Sequence, residues 1–173
     1  YRAKLWSEAR AGEVMRSLMP YVDVCIGNEE DPIRIFGLHP SGSDITKGRL
    51  HSSGFQDLTH SLRDEFGFDK VAITLRESIS ASENRWSACL MTEEGFLLSQ
   101  KYNVPIIDRV GTGDAFAAGL IFSLLQEKSP ADALAFAVAA AVWKHSLWGD
   151  FNLASAEEIE RLAGGEVSGR IRR

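Results

Sequence analysis

The stretch of this sequence with the most chemistry in it is Ile106-Ile107-Asp108-Arg109-Val110-Gly111-Thr112-Gly113-Asp114-Ala115-Phe116-Ala117-Ala118-Gly119. It reads as a strand end, a Gly-x-Gly turn and a helix whose first turn carries a carboxylate. Glycines let the backbone approach an anion closely, and the unpaired amides and dipole of a helix N-terminus favour one. A phosphate or a charged transition state suits such a place. Asp114, in the same turn, could accept a proton from a hydroxyl held beside that phosphate. A plainer reading stands next to it: Gly-x-Gly-Asp is frequent by chance, and an Asp in a first helical turn often only satisfies backbone amides. Two other phosphate motifs are excluded. No Gly-Lys-Ser/Thr follows as in a Walker A loop, and the third glycine of a dinucleotide fingerprint falls at the wrong spacing.

The surrounding pattern supplies elements that would position this turn. Residues 22–27 are a short β-branched run that reads as a buried strand. Asn28 to Asp31 then open a short helix ending near Gly37, with acidic groups at the positive end of its dipole. Residues 38–53 lack periodicity and read as a mobile connection. Phe55, Leu58, Leu62 and Phe66 form a one-sided helical stripe stopped by Gly67. Residues 71–75 are strand-like, and 86–91 with 96–99 suggest a hairpin about Thr-Glu-Glu-Gly. A helix is expected over 112–127, and a second from Pro130, since Pro fits a first helical turn. Its many alanines would let it approach neighbours closely or let a flat ligand lie beside it. A last amphipathic helix spans 156–163. Alternating strands and helices predict an α/β layered fold with a mostly parallel sheet and no internal domain boundary.

Composition bounds the function. The chain has 173 residues, 45% of them hydrophobic and 25% charged, which suits a globular core. A net charge of −5 argues against a nucleic-acid partner, and Arg170, Arg172 and Arg173 read as a solvated tail. No apolar run approaches the ~20 residues of a membrane span, and no signal peptide opens the chain, so a cytoplasmic location is expected. Cys25 and Cys89 lack metal-ligand spacing and read as buried free thiols. His39, His51 and His60 have no partners at ligand spacing. His145 fits an interaction with a helix C-terminus better than catalysis. Trp143 and Trp148 could flank a base, although packing is the commoner role for such residues.

The segment Asp108 to Ile121 closely resembles the second signature of the ribokinase-like (PfkB) carbohydrate kinases, an Asp-x-x-Gly-x-Gly-Asp pattern opening a small-residue helix. Other positions agree in order. Asn28-Glu29-Glu30-Asp31 resembles the Asn-x-x-Glu motif of that family, and residues 71–75 its strand toward the nucleotide. Lys144-His145 with Gly149-Asp150-Phe151-Asn152, and the opening Tyr1-Arg2 with Leu5-Trp6, resemble runs in 2-keto-3-deoxygluconate kinases. The resemblance implies a Rossmann-like, ribokinase-type fold, with residues 1–173 as the C-terminal nucleotide-binding and catalytic part. The N-terminal part, with its sugar loop and β-sheet lid, would be missing, and the fragment alone inactive. Any homo-oligomer would form through that lid.

The same resemblance implies roles residue by residue. Asp114 would be the general base, and the amides of Gly111, Thr112 and Gly113 an anion hole for the transferring phosphoryl group. Thr74 and Arg76 would lie along the ATP phosphates or ribose, and Lys144, Gly149, Asp150 and Asn152 in the nucleotide loop. Asn28 and Asp31 would belong to the network around Mg²⁺ and its waters, and Asp108 would lie near a monovalent cation such as K⁺. Arg2 would clamp the carboxylate of a sugar-acid substrate, and Arg109 would add positive charge nearby. The pattern departs from the family at Asp31, one methylene short of Glu, with Glu30 as a possible substitute. Val138 replaces an Asn near the adenine. The implied activity is ATP-dependent phosphorylation of 2-keto-3-deoxygluconate to its 6-phosphate. A neutral-sugar kinase for fructose or ribose is the alternative within the class, and a non-catalytic nucleotide-binding module the alternative outside it.

Overall fold

Phe55, Leu58 and Leu62 recur at helical spacing and are buried together, and this stripe organises the helix Ser52–Phe66 against a sheet. The computed structural model describes residues 1–42 and 52–165. In chain order the elements are α1 (Glu8–Leu18), β1 (Val24–Asn28), a short π-helical turn (Pro32–Phe36), α2 (Ser52–Phe66), β2 (Lys70–Ser80), β3 (Glu83–Thr92), β4 (Gly95–Leu98), β5 (Tyr102–Pro105), α3 (Thr112–Leu125), α4 (Pro130–Lys144) and α5 (Ala156–Ala163). They fall into two compact units, Tyr1–Ser78 with Ser87–Leu98, and Ile79–Trp86 with the chain from Ser99 onward.

In the first unit β1 and β2 run parallel, from Val24 opposite Lys70 to Asn28 opposite Thr74. Parallel neighbours need a crossover, and α2 lies within this one. β1 therefore ends level with Thr74, and β2 runs on beyond it to Ser80. Val71, Ile73 and Leu75 of β2 pack with Phe55, Leu58, Leu62 and Met91 into the core of this unit. β3 turns through Glu93-Glu94 into β4, with Thr92 opposite Gly95, as the hairpin expectation required. In the second unit the start of β3 pairs antiparallel with β5, from Glu83 opposite Pro105 to Trp86 opposite Tyr102. The strand order is β1-β2-β3-β4, with β5 on β3. The α/β layered class stands, with a mixed sheet among the described pairs.

Helix boundaries match the stop signals. Gly67 leaves α2 in a left-handed conformation with φ 74°. Ser129 accepts a hydrogen bond from Asp132 N before Pro130 opens α4. Ser155 and Glu158 form a reciprocal capping box that starts α5. One element comes in addition, and two expectations need correction. The run 8–18 is helical. β1 is half-buried rather than buried, since it lies at one end of the strand order. The strand before the glycine turn ends at Pro105, ahead of Ile106-Ile107. Residues 43–51, most of the expected mobile connection, lie outside the described residues, as does the Arg-rich tail.

Both cysteines are free. Burial pushes the Cys89 thiol up to about 12 and the half-buried Cys25 thiol up to about 11, with Asp31 adding to the second shift. Neither is poised for thiolate chemistry at neutral pH.

Candidate active site

In the second unit the glycine turn forms as the residue types demand. Gly111 takes φ 77°, a left-handed conformation open to glycine at little cost. A Cβ there would stand 2.1 Å from the carbonyl oxygen of Asp150, so the backbones of residues 111 and 150 touch because no side chain intervenes. Thr112 begins α3. Its N–H lies 3.4 Å from Arg109 O, and its hydroxyl donates to the same oxygen at 3.1 Å. Of the three amides expected to face an anion, that of Thr112 is thus turned back on the loop. The first intrahelical bond runs from Ala115 N to Gly111 O at 2.8 Å. The amides of Gly113 and Asp114 precede it and have no helical partner. The Asp114 side chain is exposed in this first turn, and among the described residues its carboxylate makes no hydrogen bond. It is not consumed as a cap.

Asp108 fixes the turn. One carboxylate oxygen accepts from Val110 N at 3.0 Å and the other from Gly149 N at 2.9 Å. These two amides hold its carboxyl below the ordinary value of 3.8, with the Lys144 charge adding to them. A single side chain thereby pins the 146–150 loop to the glycine turn. Gly149 assists with φ 79°. Lys144 is fully buried and donates to Leu147 O at 2.9 Å, so its ammonium shapes the loop from within. Arg109 is exposed and donates to Ala81 O at 3.3 Å, at the tip joining β2 to β3. His145 is buried with its Nδ1 2.8 Å from Ala141 O and its ring edge-on to Trp86, a packed position at the end of α4. Trp148 is 80% exposed.

The depressed carboxyl of Asp108 has a stability consequence whose sign is fixed by linkage. A group bound more weakly by protons when folded contributes stability above its unfolded value, and loses it as pH falls through the lowered folded value. Asp108→Asn should therefore lower the urea midpoint near neutral pH. It should also flatten the acid limb below about pH 4, read from urea titrations across pH. An unchanged acid limb would refute the clamp.

A pocket of about 220 Å³ opens along α3, from Ala115 to Phe122. Ala115, Ala118 and Gly119 form one wall, Phe136 and Ala140 the second, and the 152–156 segment with Ile159 the third. Gly119 permits this arrangement, because a Cβ there would meet Ala137 Cα at 3.0 Å and Ala140 Cβ at 3.1 Å. The rings of Phe122 and Phe136 stack at 5.4 Å beside it. Asn152, expected to touch a nucleotide, spends its amide on the backbone, donating to Ala140 O at 3.0 Å and accepting from Ala154 N at 3.1 Å.

In the first unit the end of β1 and the middle of β2 bring Asn28, Thr74 and Arg76 to one level. Asn28 Oδ1 accepts from Glu30 N at 2.8 Å and Asp31 N at 3.1 Å, while Asp31 Oδ2 accepts from Asn28 N at 3.0 Å. The two side chains brace each other's backbone in a closed turn. Thr74 is buried with its hydroxyl 3.5 Å from Gly27 O. Arg76 places Nε 3.8 Å from Glu29 Oε1. Glu29 is the residue that sequence reasoning passed over: it is buried, and desolvation raises its carboxyl above the ordinary range despite Arg76. Glu30, the suggested substitute, is exposed and faces Arg34 at 3.8 Å. Arg2 is exposed on a turn closed by Leu5 N to Arg2 O.

No group of three His, Cys, Asp or Glu among the described residues is placed to hold an ion. Asn28, Asp31 and Asp108 each direct a side-chain oxygen at a backbone amide.

The sequence profile of the pfkB family carbohydrate kinases matches residues 1–149. The chain belongs to that family. It is 30% identical over 169 residues to the 2-dehydro-3-deoxygalactonokinase of Haloferax volcanii, a match covering 96% of this chain and 46% of that protein. The crystal structure of 2-dehydro-3-deoxygluconokinase from Thermotoga maritima superposes with a TM-score of 0.89 at 40% identity, covering 95% of this chain and 49% of that one. A pfkB family carbohydrate kinase from Listeria grayi superposes with a TM-score of 0.81 at 31% identity, over 95% and 48% of the two chains. The chain thus spans about half the length of the relatives it matches. Within the pfkB fold these structures share, the ribokinase-like expectation is met. No helix among the described residues is long and apolar enough to cross a membrane.

Proposed function

We propose that the protein containing this chain transfers the γ-phosphoryl group of ATP to a hydroxyl of a 2-keto-3-deoxy sugar acid, with residues 1–173 as its C-terminal nucleotide-binding and catalytic part. The observation that carries the reading is the turn at 111–114: an exposed, uncommitted carboxylate stands beside amides that have no helical partner. Asp114 takes the proton from the sugar hydroxyl as its oxygen attacks the γ-phosphorus. The new O–P bond forms as the β–γ bridging P–O bond breaks, and ADP leaves with that electron pair. The amides of Gly113 and Asp114 face the charge that develops on the phosphoryl oxygens. The apolar pocket along α3 and α4 takes the adenine. A divalent ion belongs with the nucleotide's own phosphates in this reading, and no step here depends on a protein-held one.

Relatives named as kinases of 2-dehydro-3-deoxy sugar acids support the substrate class. The exposed Arg2 guanidinium is the group offered for its carboxylate. The test is ATP-dependent phosphorylation of 2-keto-3-deoxygluconate beside fructose and ribose, using the full-length protein. Turnover of the keto acid is expected, with its KM raised about 10- to 100-fold and kcat little changed in Arg2→Ala. Equal use of fructose or ribose would overturn the sugar-acid assignment, and an unchanged KM would remove Arg2 from it.

A further inference from the structure

Lys144 closes α4 with a cation that the proposed chemistry has not used. Its side chain is wholly buried. Among the described residues its ammonium makes one hydrogen bond, to Leu147 O at 2.9 Å, and no ion pair. A charge out of water persists only where something compensates it. Two sources are at hand. The ammonium lies past the last turn of α4, at the negative end of the helix dipole. Asp108 is the other: after the Val110 and Gly149 amides, the Lys144 charge also helps hold that carboxyl low.

Two stretches of chain run side by side at this point. Ile107 N and Asp108 N both donate to His145 O, at 2.9 and 3.2 Å. Gly149 N donates to the Asp108 carboxylate, and Gly111 packs directly on Asp150 O. Lys144 holds the second stretch from inside, through Leu147. The resemblance to the carbohydrate kinases implies a monovalent cation beside Asp108. The groups gathered here do not suit one. A fixed positive charge already stands among them, and like charges in a desolvated place repel strongly.

Resting on the nucleotide reading above, we infer that the Lys144 ammonium takes the place of a bound monovalent cation, tethering the 146–150 loop against the phosphate-binding turn, so that this protein needs no K⁺. Lys144 is then a positioning residue, which acts on the turn through the loop.

The test uses the full-length protein in chloride salts of tetramethylammonium, K⁺ and ammonium at equal ionic strength. ADP affinity and the urea midpoint are read for wild type, Lys144→Ala and Lys144→Met. Wild type should give the same values in all three salts. Lys144→Ala should bind ADP about tenfold more weakly in tetramethylammonium, the scale of one charged hydrogen bond. It should regain affinity and midpoint in K⁺ or ammonium, ions small enough to enter the space the side chain leaves. Lys144→Met fills that space without charge, so it should stay about tenfold weaker in every salt. A wild-type affinity or midpoint that rises with K⁺ would overturn the inference, because an ion would then bind beside the lysine. So would an alanine variant that folds and responds to no salt, or a methionine variant with wild-type affinity. If the alanine variant does not fold, wild type and the methionine variant still decide. Neither readout involves sugar. A wild type that binds no ADP would refute the nucleotide reading, while the salt response of the urea midpoints would still decide this one.

Discussion

Replacing Asp114 by Asn should lower kcat for sugar phosphorylation by about 10²- to 10⁴-fold, the usual worth of a positioned general base. The change is nearly isosteric and removes only the proton acceptor. Because the carboxylate is exposed and holds no hydrogen bond among the described residues, nothing in the fold relies on it. The urea midpoint should therefore move little, and affinity for ADP should be retained. Rate, midpoint and nucleotide affinity measured on the same preparation separate the possibilities. A large rate loss with both other quantities intact assigns the base. A loss of stability on the same scale would return Asp114 to the capping role that the sequence alone left open. Retained activity would end the proposed mechanism.

The second large effect is expected at Gly111. Alanine at that position keeps a left-handed φ at about 1–2 kcal/mol, the cost of placing a Cβ there. The new Cβ also falls 2.1 Å from Asp150 O, a backbone atom that cannot swing aside. Displacing the 150 loop adds about 1–3 kcal/mol. A total loss on the order of 2–5 kcal/mol is expected in urea unfolding. The phosphoryl-transfer rate should fall as well, since a shift of about 1 Å in a positioned turn costs roughly 10²-fold. Gly149→Ala is the control. Its φ is 79°, yet a Cβ there meets nothing within 4 Å, so strain acts without collision. If both variants lose stability equally, contact with Asp150 is not what position 111 requires.

The parts of this molecule that were legible from sequence are those whose cause is local. The stripe of α2, the Pro130 start of α4 and the glycine turn before α3 depend on neighbouring residues, and each formed where expected. What escaped depends on partners far along the chain. α1 carries Gly12, a helix-weakening residue that stands there because a Cβ would lie 2.5 Å from Ile35 O. β5 was expected, but its end was not: it stops at Pro105, where its ladder with β3 stops at Glu83. The same distinction governs the site. Asp114 was found from its own turn. The clamp by Asp108 needs Gly149, 41 residues later, and no spacing rule connects them. Among Glu29, Glu30 and Asp31, the buried one is chosen by how Asn28 folds the backbone back on itself, which a string of acidic letters conceals.

The seam between α3 and α4 also restricts how such a protein can diverge. Gly119 already lies within contact distance of Ala137 and Ala140, and a single added carbon would crowd both. Most protein cores drift by exchange, one position growing as its neighbour shrinks. Here the ledge is built of glycine and alanine, and even Ala140→Gly would leave the backbone Cα of Ala137 in the way. Lineages descending from this sequence can remodel the slot only from its opposite rim, at Phe122 and the segment around Asn152 and Ala154. Changes in what the pocket accepts should accordingly appear first as substitutions or length changes in that rim, while the ledge stays still.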